Sequence, residues 1–151
     1  VKNATGKKRP DSLKVALGVR DGFIGEGEIS YAGAGALARA RLAEKIVIAR
    51  LRKKSISGSR LKTECIGYNS ILGPVAERVA PPPFEVRLRV AAKVDSVKDA
   101  RWVGDEVEAL YLNGPAGPAG ARKYVRPVIA VYSTTIPRNL IETGIQVKEV
   151  G

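Results

Sequence analysis

The chain has 151 residues, of which 44% are hydrophobic and 27% are charged, as in an ordinary globular domain that is long enough to bury a core. It contains no histidine, so Ser-His-Asp, Cys-His and histidine-based zinc chemistry are excluded within this chain. With 26 basic and 15 acidic side chains, the formal net charge is +11, which would suit nucleic acid, an anionic lipid or an acidic partner.

The basic residues fall into three separate groups. Residues 7–9 lie in a predicted tail, residues 50–54 end a predicted helix, where cations are favourable for the helix dipole, and residues 122–126 follow a Gly/Pro-rich loop. We therefore interpret most of the charge as solvated surface charge. An anionic ligand or a partner domain is the second interpretation, and nucleic acid is the least favoured.

The location of the protein is constrained by what the sequence lacks. No apolar run approaches the roughly 20 residues that cross a membrane, and the basic first residues do not resemble a secretory signal. The single cysteine, Cys65, cannot form an internal disulfide, which suits a reducing compartment, so we expect a cytoplasmic protein with no membrane partner. Because the sequence contains no Met, we interpret it as a piece of a longer protein. We expect a tail or linker at residues 1–12 and a single α+β domain at residues 13–151.

The first half of the chain predicts two strands, a helix and a third strand. Residues 13–19 alternate as in a strand, Asp21-Gly22 predicts a hairpin turn, and a second strand follows at residues 23–31. Glycines at 25 and 27 predict a bulge or a close backbone approach. A helix is predicted from Ala36 to Lys54, and residues 61–65 alternate as a third strand. The predicted apolar face of the helix consists of Ala38, Leu42, Ile46 and Ala49.

The second half predicts a loop, a strand, a helix and two further strands. The loop covers residues 69–83, and the alternation that follows predicts a strand with Phe84 on its apolar face. Asp95 or Ser96 can cap the second helix. Residues 113–120 form a Gly/Pro-rich loop, residues 128–133 a continuous apolar strand, and residues 145–147 begin a short last strand. The apolar residues of the second helix recur at helical spacing, at Ala100, Val103, Val107 and Leu110.

These elements follow the order β-β-α-β-β-α-β-β. The middle six have the order β-α-β-β-α-β, which is the order of ferredoxin-like folds, where two helices pack on one face of a sheet. We therefore predict an α+β fold, a ferredoxin-like two-layer sandwich with an antiparallel or mixed sheet. The pattern leaves the strand order in the sheet open.

Three blocks of sequence carry a resemblance to a known family. They are GVRDGFIGEGEISYAG at residues 18–33 with ALARARLA after it, EVRLRVAA at residues 85–92, and VEALYLNGPAG at residues 107–117 with VYS and IPR after it. Together they resemble the later part of the core of acyclic terpene utilisation (AtuA) proteins. Two positions depart from the family pattern, because Pro118-Ala119 interrupts a run of glycines and Ala34 replaces a frequent proline.

The resemblance implies a role beside enzymes that degrade citronellol and geraniol through acyl-CoA intermediates. It also implies an amino-terminal α/β domain of the same protein, which would be the main partner. It implies no particular reaction, so whether the protein is an enzyme stays open. The sequence assigns no cofactor and no metal.

The strand that leads into the first helix carries the first candidate site. Glu26 and Glu28 lie two residues apart on a strand, so both carboxylates face the same side and could share a proton or hold a hard cation. The alternative is two solvent-facing charges. Ser30 and Tyr31 precede the helix start, whose free N–H groups suit an anion, but we favour the alternative of ordinary turn chemistry and a half-buried tyrosine.

The Gly/Pro-rich loop carries the second candidate site. Asn113, Gly114 and Gly117, with Arg122 behind them, could bind a phosphate through backbone N–H groups and a cation. The alternative is a plain helix cap and connector, because the loop follows a helix and therefore meets the wrong end of its dipole. For Cys65 we expect structural burial rather than reactivity.

Three functions follow as hypotheses. The chain is an accessory domain that acts with the amino-terminal domain, or it lends Glu26, Glu28, Ser30 or Arg122 to a site for a terpenoid acyl-CoA, or its open sheet face binds RNA. The last is the least favoured, since such a face needs aromatic stacking platforms and aromatic residues make up only 5% of the chain. A homo-oligomer is a further possible assembly.

Overall fold

The structure is a computed structural model that describes residues 2–56, 60–142 and 144–149. Its strands are β1 (Ser12–Ala32), β2 (Leu61–Ile66), β3 (Glu85–Val94) and β4 (Pro118–Pro137). Its α-helices are α1 (Ala36–Arg52), the short α2 (Ala76–Val79), α3 (Val97–Glu108) and the short α4 (Leu110–Asn113). Single 3₁₀ turns occur at Gly73–Val75 and Arg138–Leu140.

The strands form one open antiparallel sheet in the order β2-β3-β1-β4. Strand β3 is central, and it pairs with β1 from Phe23 opposite Val94 to Ala32 opposite Glu85. Its other edge pairs with β2, with Cys65 opposite Leu88. The predicted α+β class is therefore confirmed, and the sheet is antiparallel rather than mixed.

The chain forms two compact units. The larger comprises Arg20–Val128, and the smaller joins the residues up to Val19 with those from Ile129 onward. Helices α1 and α3 both pack on β3 and also contact each other, so they cover the same face of the sheet. The residues of β3 on that face are all buried: Val86, Leu88, Val90, Ala92 and Val94.

The predicted hairpin at Asp21-Gly22 is wrong, because β1 continues as one strand from Ser12 to Ala32. A hairpin turn requires the two flanking segments to pair with each other. Here the later segment pairs with β3, and β4 is the other neighbour of β1. Gly22, with φ of 79°, fits against the end of β3, where an added Cβ would lie 2.4 Å from the Val94 carbonyl oxygen.

The predicted apolar face of α1 is wrong in three of its four residues, since only Ile46 packs, partly buried, against the core. Leu42 is 51% exposed, and Ala38 and Ala49 are exposed as well. Alanines on the neighbouring stripe let the helix approach the branched side chains of β3 closely, so burial of that stripe leaves the Leu42 stripe outside. The buried stripe consists of Ala36, Leu37, Ala40, Ala43, Val47 and Leu51.

Helix α3 follows the prediction closely. The Ser96 hydroxyl accepts a hydrogen bond from the Asp99 N–H at 3.0 Å and caps the helix, as expected of serine at this position. The pairing of β1 with β3 is continuous through Gly25 and Gly27, so the predicted bulge is absent. The glycines serve the other predicted purpose, a close approach of backbone, here by α3. The four predicted apolar residues are fully buried: Ala100, Val103, Val107 and Leu110.

Four further predictions need correction. Residues 69–83, predicted as loop, contain α2 and a 3₁₀ turn, and Phe84, predicted on the apolar face, is 78% exposed because it precedes β3. Strand β4 begins at Pro118, ten residues before the predicted strand start at Val128, since pairing with β1 extends it through a polar stretch. Residues 145–147 form no strand. The order β-β-α-β-β-α-β-β is therefore wrong at both ends.

The smaller unit contains a two-stranded ribbon, which we call the terminal ribbon and define as residues 12–19 of β1 and 129–137 of β4. Its end is tied by Arg138, whose backbone N–H donates to the Asp11 carbonyl at 2.9 Å and whose Nε donates to the Pro10 carbonyl at 3.0 Å. Apolar side chains on the ribbon are exposed to solvent: Leu17, Val19, Ile129, Val131 and Tyr132.

Candidate functional site

The face of the sheet opposite α1 and α3 carries a row of paired charges. Arg87 and Arg89 alternate along β3 with the buried Val86, Leu88 and Val90, so period two places both guanidinium groups on this open face. Acidic side chains from β1 and β2 flank them. We call the set the charge ladder, and it consists of Glu26, Glu28, Ser30, Glu64, Arg87 and Arg89.

Each arginine of the charge ladder bridges more than one partner. Arg89 donates to Glu26 at 2.5 Å and to Glu64 at 2.7 Å, and so connects β1 to β2. Arg87 donates from Nε to Glu28 at 2.6 Å and from Nη1 to the Ser30 hydroxyl at 2.9 Å. Its Nη2 donates to the Gly120 carbonyl oxygen at 3.0 Å, which adds β4 to the network.

The ladder is shielded from solvent although it lies on the open face. Its carboxylates, Glu26, Glu28 and Glu64, have side chains only 12–16% exposed. Burial alone would raise the pKa of Glu64, but hydrogen bonds and charges from Lys62 and Arg89 outweigh it and lower that pKa. The hydrogen bonds that Arg89 donates to Glu26 and Glu64 raise its pKa. These groups hold one another in the charged state, which suits structure better than proton transfer.

The predicted pair Glu26 and Glu28 therefore lies on one face, as their spacing indicates. Each carboxylate forms an ion pair with an arginine of β3, Glu26 with Arg89 and Glu28 with Arg87. Ser30 joins the same network as a hydrogen-bond acceptor. No group of three or more metal-ligating side chains is arranged to hold a metal ion in the described ranges 2–56, 60–142 and 144–149.

The start of β4 borders the ladder with exposed polar residues. A groove of about 690 Å³ runs between the ladder and this strand, lined by Glu26, Glu28, Arg89 and residues 123–126. Arg122 is fully exposed, and its pKa is raised by a hydrogen bond with the Tyr124 hydroxyl and more weakly by the charge of Glu28. Of the predicted site residues, Glu28 thus acts on Arg122 through its charge, without an ion pair between the two.

Tyr31 lies on the other side of the sheet. It is fully buried in the core with Ile29, because odd positions of this part of β1 face the helices. Burial raises its pKa, and the charge of Arg39 partly offsets that rise. Among the described residues neither the Tyr31 hydroxyl nor Arg39 Nε has a hydrogen-bond partner.

The residues of the predicted loop site have different local surroundings in the structure. The Asn113 side-chain oxygen accepts a hydrogen bond from Arg50 at 3.1 Å, and an added Cβ on Gly114 would lie 2.6 Å from the Leu110 carbonyl oxygen. Both residues therefore contribute to the end of α4, Asn113 through a hydrogen bond to α1 and Gly114 through a close backbone approach. Gly117, with φ of 71°, is exposed at the turn into β4. A phosphate site in this loop stays a prediction.

Cys65 is 3% exposed on the inner face of β2, as predicted. Burial and the nearby charge of Glu44 raise the pKa of its thiol to about 11, so the thiolate is scarce near neutral pH. Trp102 is partly buried against the core, and the Lys54 ammonium lies 3.3 Å from the centroid of its ring.

A second surface of the larger unit is an apolar groove at the start of α1. We call it the α1 groove, and it has a volume of about 700 Å³. Its walls are the exposed stripe of α1, which includes Leu42, and the segment that enters β3, which ends at Phe84. Two cations, Arg41 and Lys45, complete the lining. The other lining residues are Gly33, Ala34, Gly35, Ala36, Leu37, Ala38, Pro82 and Pro83.

Two surface features were not predicted from the sequence, namely the role of Arg87 and Arg89 in the ladder and the α1 groove. Arg87 and Arg89 carried a signal, since two arginines alternate with buried residues opposite two alternating glutamates. The α1 groove carried none, because α1 has two apolar stripes and only packing shows which is left outside. In the described part of the chain, no helix is long and apolar enough to cross a membrane.

Comparison with known proteins gives one match. A family model described as "Acyclic terpene utilisation family protein AtuA" matches residues 1–147. No curated protein matches the chain, and no solved structure does. The match spans all three blocks of sequence that carry the resemblance.

Proposed function

Because the chain belongs to the acyclic terpene utilisation AtuA family, we propose that it serves acyclic terpene utilisation as an assembly domain and not as a self-contained catalyst. In this role it is the carboxy-terminal domain of a longer cytoplasmic protein that is linked to the breakdown of acyclic terpenoids such as citronellol and geraniol. Its partner is the amino-terminal α/β domain that the family resemblance implies. The same proposal includes a ferredoxin-like arrangement of the larger unit, which the strand order β2-β3-β1-β4 and the helices on one face support.

The charge ladder supports a structural role for the acidic residues. A general base needs a lone pair that is free to accept a proton, but Glu26, Glu28 and Glu64 each accept short hydrogen bonds from guanidinium groups. Arg87 and Arg89 are likewise occupied by carboxylates, so they offer little to a nucleic-acid phosphate. The ladder ties the four strands of the larger unit together.

The terminal ribbon is the observation that carries the proposal. A two-stranded ribbon by itself is marginally stable in water, and this one exposes large apolar residues, with Val131 at 69% and Ile129 at 65%. Exposed apolar patches of this kind mark protein interfaces. The ribbon and the adjoining ends are basic, with Lys14, Arg138 and residues 7–9, so an acidic partner surface complements them better than a second copy of this basic chain.

The test is a titration of this chain with the segment that the same reading frame encodes upstream. We expect a complex with a dissociation constant below about 100 μM, and a Val131→Glu variant that binds at least about tenfold more weakly. Val79→Glu is the matched control, because Val79 is exposed to the same degree, 68%, but lies in α2. Its binding should equal that of the unchanged chain.

Two results would count against the proposal. One is the absence of binding at high micromolar concentration. The other is equal binding of the Val131→Glu and Val79→Glu variants, which would remove the terminal ribbon as the docking surface. Self-association of the chain that Val131→Glu abolishes would identify a second copy as the occupant instead.

A second candidate function is that the chain contributes to a site for a terpenoid acyl-CoA. The α1 groove favours it, because an apolar groove of about 700 Å³ lies in the usual size range of small-molecule sites. Of the residues predicted for such a site, Arg122 is exposed to solvent, whereas Glu26, Glu28 and Ser30 are engaged in the ladder. Calorimetry of the full-length protein with geranyl-CoA tests it, and heats that Arg122→Ala leaves unchanged would remove that residue from the site.

A further inference from the structure

We propose that the α1 groove binds an aliphatic acyl chain that ends in an anionic group, either a free carboxylate or a thioester of a phosphate-bearing carrier. The proposed ligand class rests on the second candidate function and deepens it, since it locates the acyl chain at residues other than those that the sequence indicated. It is independent of the docking of an amino-terminal domain.

The groove is built to stay open. The Gly33 N–H donates to the Phe84 carbonyl oxygen at 2.7 Å, which fixes the two walls relative to each other. Prolines at 82 and 83 restrict the backbone of the second wall, and Gly35, with φ of 74°, sets the start of α1. A preformed cavity loses little conformational entropy when a ligand enters.

The apolar part of the groove is open to solvent. Phe84 is 78% exposed and Leu42 is 51% exposed, and both face into the groove with alanine and proline side chains around them. Polar walls would suit water, whereas this lining gains free energy when an aliphatic chain displaces water from it. The groove therefore matches the hydrocarbon part of an acyl compound.

The charged part of the groove indicates an anionic head group. Lys45 lies one turn beyond Leu42 on the same stripe of α1, and it forms no ion pair with any residue that the structure describes. Arg41 lines the groove as well, although its guanidinium also pairs with Glu77 at 2.8 Å. The first turn of α1 contains no acidic residue that would repel an anion. Charge complementarity thus favours an acid over an alcohol.

The binding test uses the unchanged, isotope-labelled 151-residue chain and three probes. These are citronellate, citronellol, which has the same chain without the charge, and citronellyl-CoA. We expect amide signals of residues 33–42 and Phe84 to shift, and citronellate to bind about fivefold more tightly than citronellol, the factor typical of one exposed ion pair. Tighter binding of citronellyl-CoA than of citronellate would identify the thioester as the source of the acyl chain, and the reverse order the free acid.

Paired variants show whether the groove itself is the site. Leu42→Glu should abolish binding of all three probes, while Leu112→Glu, at a side chain 95% exposed on α4, should not. Lys45→Glu should remove the advantage of citronellate over citronellol, while Lys98→Glu on α3 should retain it. All four substituted residues lie on the surface, so the circular dichroism spectrum of each variant should equal that of the unchanged chain.

The inference is overturned if no probe shifts the groove signals up to the solubility limit, or if Leu42→Glu and Leu112→Glu bind alike. Its failure is separable from that of the assembly proposal, because the same variants can be titrated with the upstream segment. Docking that persists in Leu42→Glu while probe binding is lost would support both. Docking that Leu42→Glu abolishes, with no probe binding to the unchanged chain, would assign the groove to the partner domain instead.

Discussion

At the scale of single residues, two glycines decide how α3 lies on the sheet. Gly25 and Gly27 are buried on the face of β1 that meets this helix. A Cβ on Gly25 would lie 1.9 Å from the Ala100 carbonyl oxygen, and one on Gly27 would lie 2.7 Å from the Val107 Cβ. Because backbone cannot yield as a flexible side chain can, the helix reaches this position only if both residues lack a side chain.

We therefore predict that Gly25→Ala lowers the free energy of unfolding by about 3 kcal/mol, at the upper end for overpacking of a core. Urea denaturation monitored by circular dichroism measures the change. Gly6→Ala is the control, since an added Cβ at Gly6 meets nothing within 4 Å. A loss below about 0.5 kcal/mol at Gly25 would show that α3 shifts freely on β1.

Arg89 is the residue on which the charge ladder depends most, since it bridges Glu26 and Glu64. We predict that Arg89→Leu lowers the free energy of unfolding by about 2 kcal/mol near neutral pH, between the values typical of exposed and buried pairs. Arg60→Leu breaks a pair with Asp95 whose side chains are 60% and 84% exposed, so its effect should stay below about 0.5 kcal/mol. Urea denaturation of both variants measures the two changes in the free energy of unfolding.

The same pair of variants should differ in pH dependence. The pKa of Glu64 is lower in the folded chain than its ordinary value of 4.5, so its contribution to stability is present above that value and is lost as the pH falls through the lower folded value. The deficit of Arg89→Leu should therefore shrink as the pH falls below 4.5. A deficit that is constant over this range would show that Arg89 acts through packing and not through charge.

At the scale of elements, α1 shows that helical spacing alone does not identify a buried face. The helix carries two apolar stripes, and the sheet accepts the one in which alanines alternate with larger residues, from Ala36 to Leu51. The other stripe, which includes Leu42, becomes a wall of the α1 groove. The α1 groove therefore forms because the sheet buries the stripe from Ala36 to Leu51 and leaves the Leu42 stripe exposed.

The choice of face predicts opposite outcomes for two leucines of α1. Leu51→Ala should lower the free energy of unfolding by about 3 kcal/mol, because Leu51 is fully buried and its removal leaves a cavity. Leu42→Ala should change it by less than about 0.5 kcal/mol. Equal losses in thermal or urea denaturation would show that α1 packs with the other stripe.

At the scale of the whole molecule, the core lies entirely in the larger unit. Every buried hydrophobic residue of the described ranges falls between Ile29 and Leu110, inside Arg20–Val128. The terminal ribbon adds exposed apolar surface, and none of its residues is as buried as those of the core. The two units therefore divide the tasks of stability and, in our proposal, of assembly.

We predict that a chain of residues 20–128 folds by itself and unfolds in one cooperative transition. Differential scanning calorimetry tests it, with the calorimetric and van't Hoff enthalpies expected to agree. The truncated chain should no longer bind the upstream segment, since it lacks the terminal ribbon. Absence of a cooperative transition would show that the ribbon also stabilises the fold.

The sequence by itself determined the α+β class, the positions of α1, β2, β3 and α3, the burial of Cys65 and the family. Each of these follows from a local signal, such as the alternation in β3, the cap at Ser96 or the helical spacing of Ala100 to Leu110. It also placed Glu26 and Glu28 on one face of a strand, because a period of two requires it. Local periodicity carries this information without knowledge of any distant residue.

Only the tertiary structure decided which segments pair and which surfaces remain free. The Asp21-Gly22 turn signal failed because the two halves of β1 have other neighbours, and β4 extends through a polar stretch because β1 lies beside it. The same holds for the pairing of Glu26 and Glu28 with arginines some sixty residues away, and for the stripe of α1 that stays outside. These features arise from contacts between residues far apart in the chain, and no local pattern encodes which of several compatible contacts forms.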